Sequence, residues 1–247
     1  MIQVEDLHKV YGATVAVAGL SFEVHAGQVL GLVGHNGAGK TSTLKALSCI
    51  TAPTRGRLCV AGHDVALEPI AAKSVLAYIP DDPQLFEALS VDEHLQFTAS
   101  AYHLKDWHAY ADELLADFEL TEKRHTPAEA LSRGMRQKLA ICCAYLHGPA
   151  AILFDEPLTG LDPWAIRNLK ASITKRASEG SAVIVSSHLL AMIDDICTDY
   201  LILERGRATF HGPRAQLLSR CAQSADASLE EVFFHVSNES PIATVEN

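Results

Sequence analysis

The sequence predicts an α/β fold: a mostly parallel sheet with helices on both faces, an N-terminal antiparallel β subdomain and an inserted α-helical subdomain. Three observations predict this fold class. Short apolar runs flanked by Gly, Asp or Ser recur along the chain, amphipathic helical patterns lie between them, and one long stretch shows helical periodicity alone. For 247 residues we expect one large domain with an insertion instead of two independent units.

The first ~25 residues predict antiparallel strands, because apolar side chains alternate with polar ones there. The alternating residues are Ile2, Val4, Leu7, Val15, Val17, Phe22 and Val24. A period of two is typical of strands that bury one face.

Four continuous apolar runs predict strands that are covered on both faces, as in a parallel sheet. They are the segments 29–33, 151–154, 182–185 and 200–203. Helical spacing of apolar residues predicts helices after the first run, before the third and after the third. The residues concerned are Leu44 and Leu47; Ile166, Leu169 and Ile173; and Leu189, Met192, Ile193 and Ile196.

The stretch 86–145 carries helical periodicity without strand signals and predicts the inserted subdomain. One face of its last helix is marked by Met135, Leu139, Cys142, Cys143 and Leu146. The core is therefore assigned to 1–85 and 146–220, and a C-terminal tail to 221–247. The tail has an apolar patch at Leu229, Val232, Phe233 and Phe234, and we expect disorder from residue 237.

Composition excludes several classes of protein. A net charge of −10 argues against a nucleic-acid partner, which requires a clustered positive field. The N-terminus is not typical of a secretory signal, and no run approaches the ~20 apolar residues of a membrane-spanning helix. The six cysteines are scattered and predict reduced thiols in a cytosolic protein.

A glycine-rich segment between the first buried run and a helix fits the phosphate-binding P-loop pattern. It comprises Gly34, His35, Asn36, Gly37, Ala38, Gly39, Lys40 and Thr41, and we include the adjoining Ser42. Backbone amides and the helix start would bind phosphate, Lys40 would reach the β and γ phosphates, and Thr41 would ligate Mg²⁺. The segment thus predicts binding of ATP with Mg²⁺.

Two further buried runs end in polar residues that suit this chemistry. The run 151–154 leads into Asp155 and Glu156, which we assign to holding Mg²⁺ and to polarising the attacking water. The run 182–185 leads to His188, which we assign to the γ-phosphate. Glu156 and His188 are therefore the predicted catalytic residues.

A segment at the start of the last inserted helix gives a family resemblance. Leu131, Ser132, Arg133, Gly134 and Met135 resemble the signature motif of ATP-binding cassette (ABC) transporter ATPases, whose common form is Leu-Ser-Gly-Gly-Gln. Arg133 and Met135 depart from that form in a way that is similar to prokaryotic exporter ATPases. The resemblance extends from Val4 to about Leu218.

This resemblance implies several roles. Tyr11 falls where the family stacks a ring on adenine, with Val17 beside it, and Leu161 and Asp162 match the loop that communicates across a dimer. It also implies a head-to-tail homodimer, or pairing with another ATPase subunit, with each signature segment on the partner's ATP. A separate transmembrane permease would hold the protein peripherally on the cytoplasmic face of the cell membrane.

One position departs from the family pattern in the loop before the helical insertion. The family usually places there a Gln that senses Mg²⁺ and contacts the membrane partner, whereas this chain has Asp81 between Pro80 and Pro83. We assign Asp81 to coupling and to the metal; the alternative is a polar turn.

Two other functions fit the sequence less well. A soluble ABC ATPase acting on ribosomes or DNA would usually have two cassettes or a basic insertion, but 81–122 contains one basic residue, Lys105. A P-loop kinase would need an acceptor pocket, and a GTPase would usually have a guanine-reading motif that this sequence lacks. An ATPase subunit of an ABC exporter is the leading hypothesis.

Overall fold

The structure is a computed structural model that describes residues 1–220. The predictions for the tail 221–247 therefore lie outside the described residues. The strands are β1 (Ile2–Tyr11), β2 (Thr14–Val24), β3 (Val29–Val33), β4 (Arg55–Val60), β5 (His63–Asp64), β6 (Leu76–Ile79), β7 (Ala151–Phe154), β8 (Ala182–Ser187), β9 (Asp199–Glu204) and β10 (Arg207–Pro213). The helices are α1 (Lys40–Leu47), α2 (Pro69–Ser74), α3 (Val91–Ala101), α4 (His108–Asp117), α5 (Arg133–Leu146), α6 (Pro163–Ser178) and α7 (Arg214–Arg220).

The N-terminal strands form a four-stranded antiparallel sheet in the order β2-β1-β4-β5. Strands β1 and β2 are a hairpin whose register shifts between Val4 and Leu7. The shift explains why the apolar spacing in this segment changes from two to three: the extra residue lets Leu7 join Ile2 and Val4 on the buried face.

The larger sheet has six strands in the order β10-β9-β3-β8-β7-β6. The pairs from β9 to β6 are parallel, and β10 adds an antiparallel edge strand. All residues of β3, β7 and β8 are buried, as their continuous apolar runs predict. The predicted fold class is confirmed, including the N-terminal antiparallel sheet.

Side chains alternate between two cores on opposite faces of the parallel sheet. In β3, for example, Leu30 and Leu32 pack with the antiparallel sheet and α1. Val29 and Val33 pack instead with the helices α3 to α6. The carboxyl ends of the central strands consequently lie where the P-loop, the antiparallel sheet and the helices meet.

The stretch predicted to be helical contains α3, α4, α5 and two short 3₁₀ turns. Helix α3 begins with a capping box, in which Ser90 and Glu93 bond each other's backbone amides. Leu139, Cys142 and Leu146 of α5 are buried, while Met135 and Cys143 are partly buried. The apolar spacing therefore marks the packed face of α5.

The prediction of a helix over 189–196 is wrong. The chain forms only a 3₁₀ helix at Leu190–Met192, followed by turns. Two hydrogen bonds between Ser187 and Leu189 tighten the chain directly after β8. Leu190 and Ile193 are still buried, so their spacing reflects a segment that covers the sheet without forming an α-helix.

Within residues 1–220, no helix combines the length and apolarity that crossing a membrane requires. The five cysteines that lie in this range are free thiols.

Candidate functional site

The P-loop runs from the end of β3 to the start of α1, and close backbone approaches require glycine at two of its positions. A Cβ on Gly34 would lie 2.5 Å from the Leu203 carbonyl oxygen. A Cβ on Gly39 would lie 2.6 Å from the Ala16 oxygen, and Gly39 also has a φ of +109°. Because a side chain at either position would clash with a neighbouring backbone oxygen, only glycine allows the loop to pass so close to these segments.

The start of α1 suits an anion. Gly39 is its N-cap, no side chain caps it, and its first turn has no acidic residue. No carboxylate of that turn therefore accepts hydrogen bonds from the free amides. The positive end of the helix dipole is not neutralised by an acidic residue of that turn either. This is the cradle that a phosphate group requires.

The turn between β9 and β10, which contains Gly206, also supports the P-loop. The Gly206 amide donates to the Ala38 carbonyl at 3.0 Å, and the Gly206 carbonyl accepts from the Ala18 amide at 2.8 Å. Gly206 was not predicted as a site residue. The Glu-Arg-Gly-Arg segment that follows the predicted strand 200–203 is typical of a turn, but its contact with the P-loop depends on the tertiary fold.

Asp155 lies at the end of β7 and accepts three side-chain hydrogen bonds. Thr41 Oγ1 lies 3.1 Å and Ser186 Oγ 2.8 Å from its Oδ1, and the Tyr78 hydroxyl lies 3.2 Å from its Oδ2. The parallel register of β6, β7 and β8 brings these residues to one edge. The predicted pair Thr41 and Asp155 is thus in direct contact.

Tyr78 and Ser186 are contributors that the sequence analysis missed. Burial, followed by the neighbouring Asp155 carboxylate, raises the pKa of the Tyr78 phenol well above its ordinary value, so Tyr78 remains a donor at neutral pH. Their position at the ends of buried strands was the available signal. Nothing in the local sequence indicated that both side chains face Asp155.

Glu156 links the P-loop lysine to the predicted histidine. Its Oε1 lies 3.2 Å from Lys40 Nζ, and its Oε2 lies 2.9 Å from His188 Nδ1. Lys40 is 5% exposed and also donates to the Gly34 carbonyl at 2.5 Å. The ammonium of Lys40 and the carboxylate of Glu156 are both largely buried, and each neutralises the charge of the other.

The backbone of Glu156 is held in an unusual conformation. Its φ is +49°, and its amide donates to Ser186 Oγ at 2.9 Å. The same hydroxyl donates to Asp155, so Ser186 connects the two adjacent carboxylates. Positive φ in a non-glycine residue costs about 1–2 kcal/mol, and here the site's hydrogen bonds offset it.

The predicted adenine residues lie on the antiparallel sheet beside the P-loop. Tyr11 is 44% exposed, and Lys9 Nζ lies 4.7 Å from the centre of its ring. Val17 is fully buried, and its Cγ2 is 3.4 Å from the position of a Cβ on Gly39. Tyr11 is thus available for stacking, whereas Val17 is a wall of the P-loop.

The remaining P-loop residues lie where the sequence places them. His35, Asn36 and Gly37 form the outer part of the loop, Ala38 is buried, and Ser42 lies in the first turn of α1. Their positions are compatible with the predicted contacts to ATP.

The signature segment forms the beginning of α5. Leu131 is buried, and Ser132 is the exposed N-cap residue whose Oγ accepts from the Met135 amide at 3.3 Å. Gly134 is packed against Leu161, whose Cδ2 is 3.6 Å from the position of a Cβ on Gly134. The described contacts of Ser132 run to its own helix, so this part of the predicted site presents a separate helix N-terminus.

The predicted dimer loop adjoins that segment. Asp162 is the N-cap of α6 and accepts from the Trp164 and Ala165 amides, each at 2.9 Å. These amides hold the pKa of Asp162 below its ordinary value. Asp162 is accordingly a fixed anionic cap, and Leu161 provides the contact with Gly134.

Asp81 lies in the loop after β6, and its partner is a residue of the signature segment. Arg133 Nη2 donates to Asp81 Oδ1 at 3.0 Å. Both side chains are about half exposed. The structure therefore joins two residues that the sequence analysis assigned to different roles.

Within residues 1–220, no group of three or more His, Cys, Asp or Glu side chains is arranged to hold a metal ion. The contact between Thr41 and Asp155 still fits Mg²⁺, which prefers oxygen ligands and keeps several waters and phosphate oxygens when it binds with a nucleotide. Asp81 is engaged by Arg133 in this structure.

Comparison with known proteins gives a consistent result. The sequence pattern of the family described as ABC transporter matches residues 17–159. The chain is 32% identical over 241 residues to the ABC-type transporter ATP-binding protein EcsA of Bacillus subtilis, covering 97% of each chain. It is 31% identical over 221 residues to the Nod factor export ATP-binding protein I of Ralstonia nicotianae, covering 89% of this chain and 69% of that protein.

A solved structure described as the ATP-binding subunit of an ABC transporter superimposes with a TM-score of 0.91. It is 32% identical in sequence, and the match covers 96% of this chain and 99% of that chain. The similarity therefore includes both sheets and the helical insertion.

Proposed function

The chain belongs to the ABC transporter family as an ATP-binding subunit, a class whose activity is ATP hydrolysis, and from this premise we propose how it works. Two copies close head to tail on two Mg-ATP and drive a separate membrane permease. The observation that carries this proposal is the set of contacts that joins Lys40 and Thr41 of the P-loop to Glu156 and Asp155.

Nucleotide binding would redistribute the contacts of Lys40. In the structure its ammonium lies 3.2 Å from Glu156 and donates to the Gly34 carbonyl. The β and γ phosphates offer more negative charge, so Lys40 would turn to them and leave Glu156. Glu156 then becomes able to accept a proton from water.

Thr41 and Asp155 are the residues that would hold the metal. Thr41 would ligate it directly through Oγ1, and Asp155 would hold it through water, with Tyr78 and Ser186 fixing the carboxylate. When bound, Mg²⁺ supplies neutralisation of the phosphate charge.

Glu156 and His188 would act on the attacking water. The Glu156 carboxylate would accept the proton as the water oxygen attacks the γ-phosphorus, and the bond from that phosphorus to the bridging oxygen would break, so that ADP leaves with the electron pair. His188 holds one carboxylate oxygen at 2.9 Å, which orients the other toward the phosphate side. The Ser186 hydrogen bond to the Glu156 amide keeps this geometry from relaxing.

A second copy would complete each site. Ser132 is exposed at the N-terminus of α5, and that helix has no acidic residue in its first turn. Together with the Gly134 amide it offers an anion cradle suited to the γ-phosphate of a partner's ATP. Dimer closure therefore depends on ATP, and hydrolysis removes the contacts that favour the closed state.

The permease would dock beside the loop that carries Asp81. Phe86 and Phe97 are more than half exposed and pack edge to face with ring centres 5.1 Å apart. Leu85 and Glu87, on either side of Phe86, line a cleft of about 310 Å³ whose charged residues are three acids, Asp82, Glu87 and Glu129, and one base, Arg136. A cytosolic helix of the permease with apolar and basic side chains fits this surface, and docking would place the chain on the inner face of the cell membrane.

Export is the proposed direction of transport. Arg133 and Met135 give the signature segment the form that is similar to prokaryotic exporter ATPases. The relative from Ralstonia nicotianae is named as a Nod factor export protein. Both observations favour an exporter.

Nucleotide-dependent pairing tests the proposal. Glu156→Gln removes the base and keeps the side-chain volume, so the protein should bind Mg-ATP without turning it over. Light scattering should give the monomer mass without nucleotide and twice that mass with Mg-ATP.

The matched control adds Gly134→Asp, which places a carboxylate at the helix N-terminus that should face the partner's phosphate. This double variant should remain monomeric with Mg-ATP. The head-to-tail arrangement would be refuted if the double variant formed the dimer equally well. It would also be refuted if the mass of Glu156→Gln were the same with and without Mg-ATP.

A further inference from the structure

Asp81 and Arg133 join two parts of the chain that are separated by 52 positions in sequence. Asp81 follows β6 of the parallel sheet, and Arg133 is the first residue of α5 in the helical insertion. Their charged groups are 3.0 Å apart. Close by, Gln137 Nε2 of α5 donates to the Pro80 carbonyl at 3.5 Å, so two adjacent contacts connect this loop with one helix.

Arg133 occupies an electrostatically unfavourable position. A cation in the first turn opposes the positive end of the helix dipole, and α5 has no acidic residue in that turn to offset it. The carboxylate that does so belongs to Asp81, on another element. The Asp81 carboxylate therefore offsets the unfavourable cation at the N-terminus of α5.

The Arg133 side chain also extends over a third segment. Its guanidinium carbon is 3.7 Å from the position of a Cβ on Gly160, in the loop between Glu156 and Asp162. Gly160 has a φ of +75°. Arg133 thus bonds the loop after β6 and lies over Gly160 in the loop after β7.

We propose that the Asp81–Arg133 ion pair is a latch between the parallel-sheet core and the helical insertion, and that Asp81 acts as a positioning residue through Arg133 instead of as a metal ligand. The latch fixes the first turn of α5 relative to the loop that follows Glu156. It thereby orients the Ser132 and Gly134 donors. This last consequence rests on the proposed function, whereas the latch itself can be tested without nucleotide.

Hydrogen–deuterium exchange of the nucleotide-free protein tests the latch directly. Asp81→Asn and Arg133→Gln each remove one charge from a half-exposed position, so both variants should fold. Exchange of the amides in 135–138, the part of the first turns whose amides have acceptors, should rise about threefold in either variant, since the start of α5 opens more often. Exchange in the β1–β2 hairpin should stay unchanged.

The matched control is Glu119→Gln. Glu119 forms an ion pair with Lys138 of the same helix at 2.9 Å, but both residues lie within the helical insertion. Its removal should leave exchange of the Asp81 and Asp82 amides unchanged, whereas the two latch variants should raise exchange there; Pro80 and Pro83 have no amide hydrogen. Equal exchange of 135–138 in wild type and in both latch variants would overturn the proposal.

A double-variant cycle on ATP turnover separates positioning from metal binding. If Asp81 acts through Arg133, the double variant Asp81→Asn with Arg133→Gln should lose no more than the worse single variant, about fivefold in turnover, with little change in the KM for ATP. If Asp81 ligates the metal independently, the losses should multiply, and that result would overturn the positioning role. Absence of turnover in the wild type would count against the proposed function, while the exchange experiment would still decide the latch.

Discussion

Ser186→Ala tests the claim that one hydroxyl holds both acidic residues in place. Ser186 is fully buried; its Oγ donates to Asp155 at 2.8 Å and accepts from the Glu156 amide at 2.9 Å. Losing a hydrogen bond to a carboxylate costs about 1.5–3 kcal/mol, and a buried amide left without a partner costs about 1–3 kcal/mol. The two costs together span about 2.5–6 kcal/mol, and because Thr41 and Tyr78 still donate to Asp155, we expect a combined loss near the lower end, about 3 kcal/mol.

The free energy of unfolding in urea, with an unchanged m-value, measures this loss. The matched control is Ser187→Ala, whose hydroxyl forms two hydrogen bonds to the backbone of Leu189 and none to the acidic residues. Its expected cost is about 1 kcal/mol.

Turnover should distinguish the two variants more strongly than stability does. Ser186→Ala releases the strained backbone of Glu156, so turnover should fall at least ~10-fold while ATP affinity changes little. Equal stability and equal turnover of the two variants would refute the argument that Ser186 positions Glu156.

Two further predictions concern the P-loop and the response to acid. Gly39→Ala should weaken ATP binding at least ~10-fold in a fluorescent-nucleotide titration, because its Cβ would lie 2.6 Å from the Ala16 oxygen. Gly180→Ala has a similar φ of +104° in open space and is the control for backbone strain alone; equal losses of binding would contradict the steric explanation. Burial lowers the pKa of His147 from 6.5 to about 4, so the unfolded chain binds the additional proton and stability is lost as pH falls below 6.5. His147→Phe, which keeps the ring contact with Tyr102, should make urea stability about 1 kcal/mol less sensitive to a change from about pH 7 to pH 5; an unchanged sensitivity would contradict this origin.

The sequence predicts the central sheet well because burial on both faces leaves a local trace. Strands β3, β7 and β8 have continuous apolar runs, and each run coincides with the strand to within two residues. The P-loop could be predicted equally well, since close backbone approaches require its glycines.

The pairing of strands that are distant in sequence could not be predicted from the local pattern. Strand β4 pairs with β1, yet its first three residues are exposed and its apolar run is short. The segment 189–196 has helical spacing but folds as a 3₁₀ helix and turns, since covering a sheet imposes the same spacing as an α-helix does.

The same limit applies to the site. Thr41, Asp155 and Glu156 could be predicted from local motifs, and the structure brings them together with Lys40. The contacts of Tyr78 and of the Asp81–Arg133 pair depend on strand register and on the packing of α5, which no local pattern encodes. The Asp81→Asn and Arg133→Gln variants test the role of that pair.

The central claim is that each active site combines the P-loop of one copy with the signature segment of another. Mixing two inactive variants measures this most directly: Lys40→Ala disables the P-loop, and Gly134→Asp disables the signature segment. Each alone should be inactive, whereas the mixture should regain about a quarter of wild-type ATP turnover, because half of randomly formed dimers are mixed and each has one intact site. Turnover in the mixture that equals the sum of the two separate variants would contradict the account.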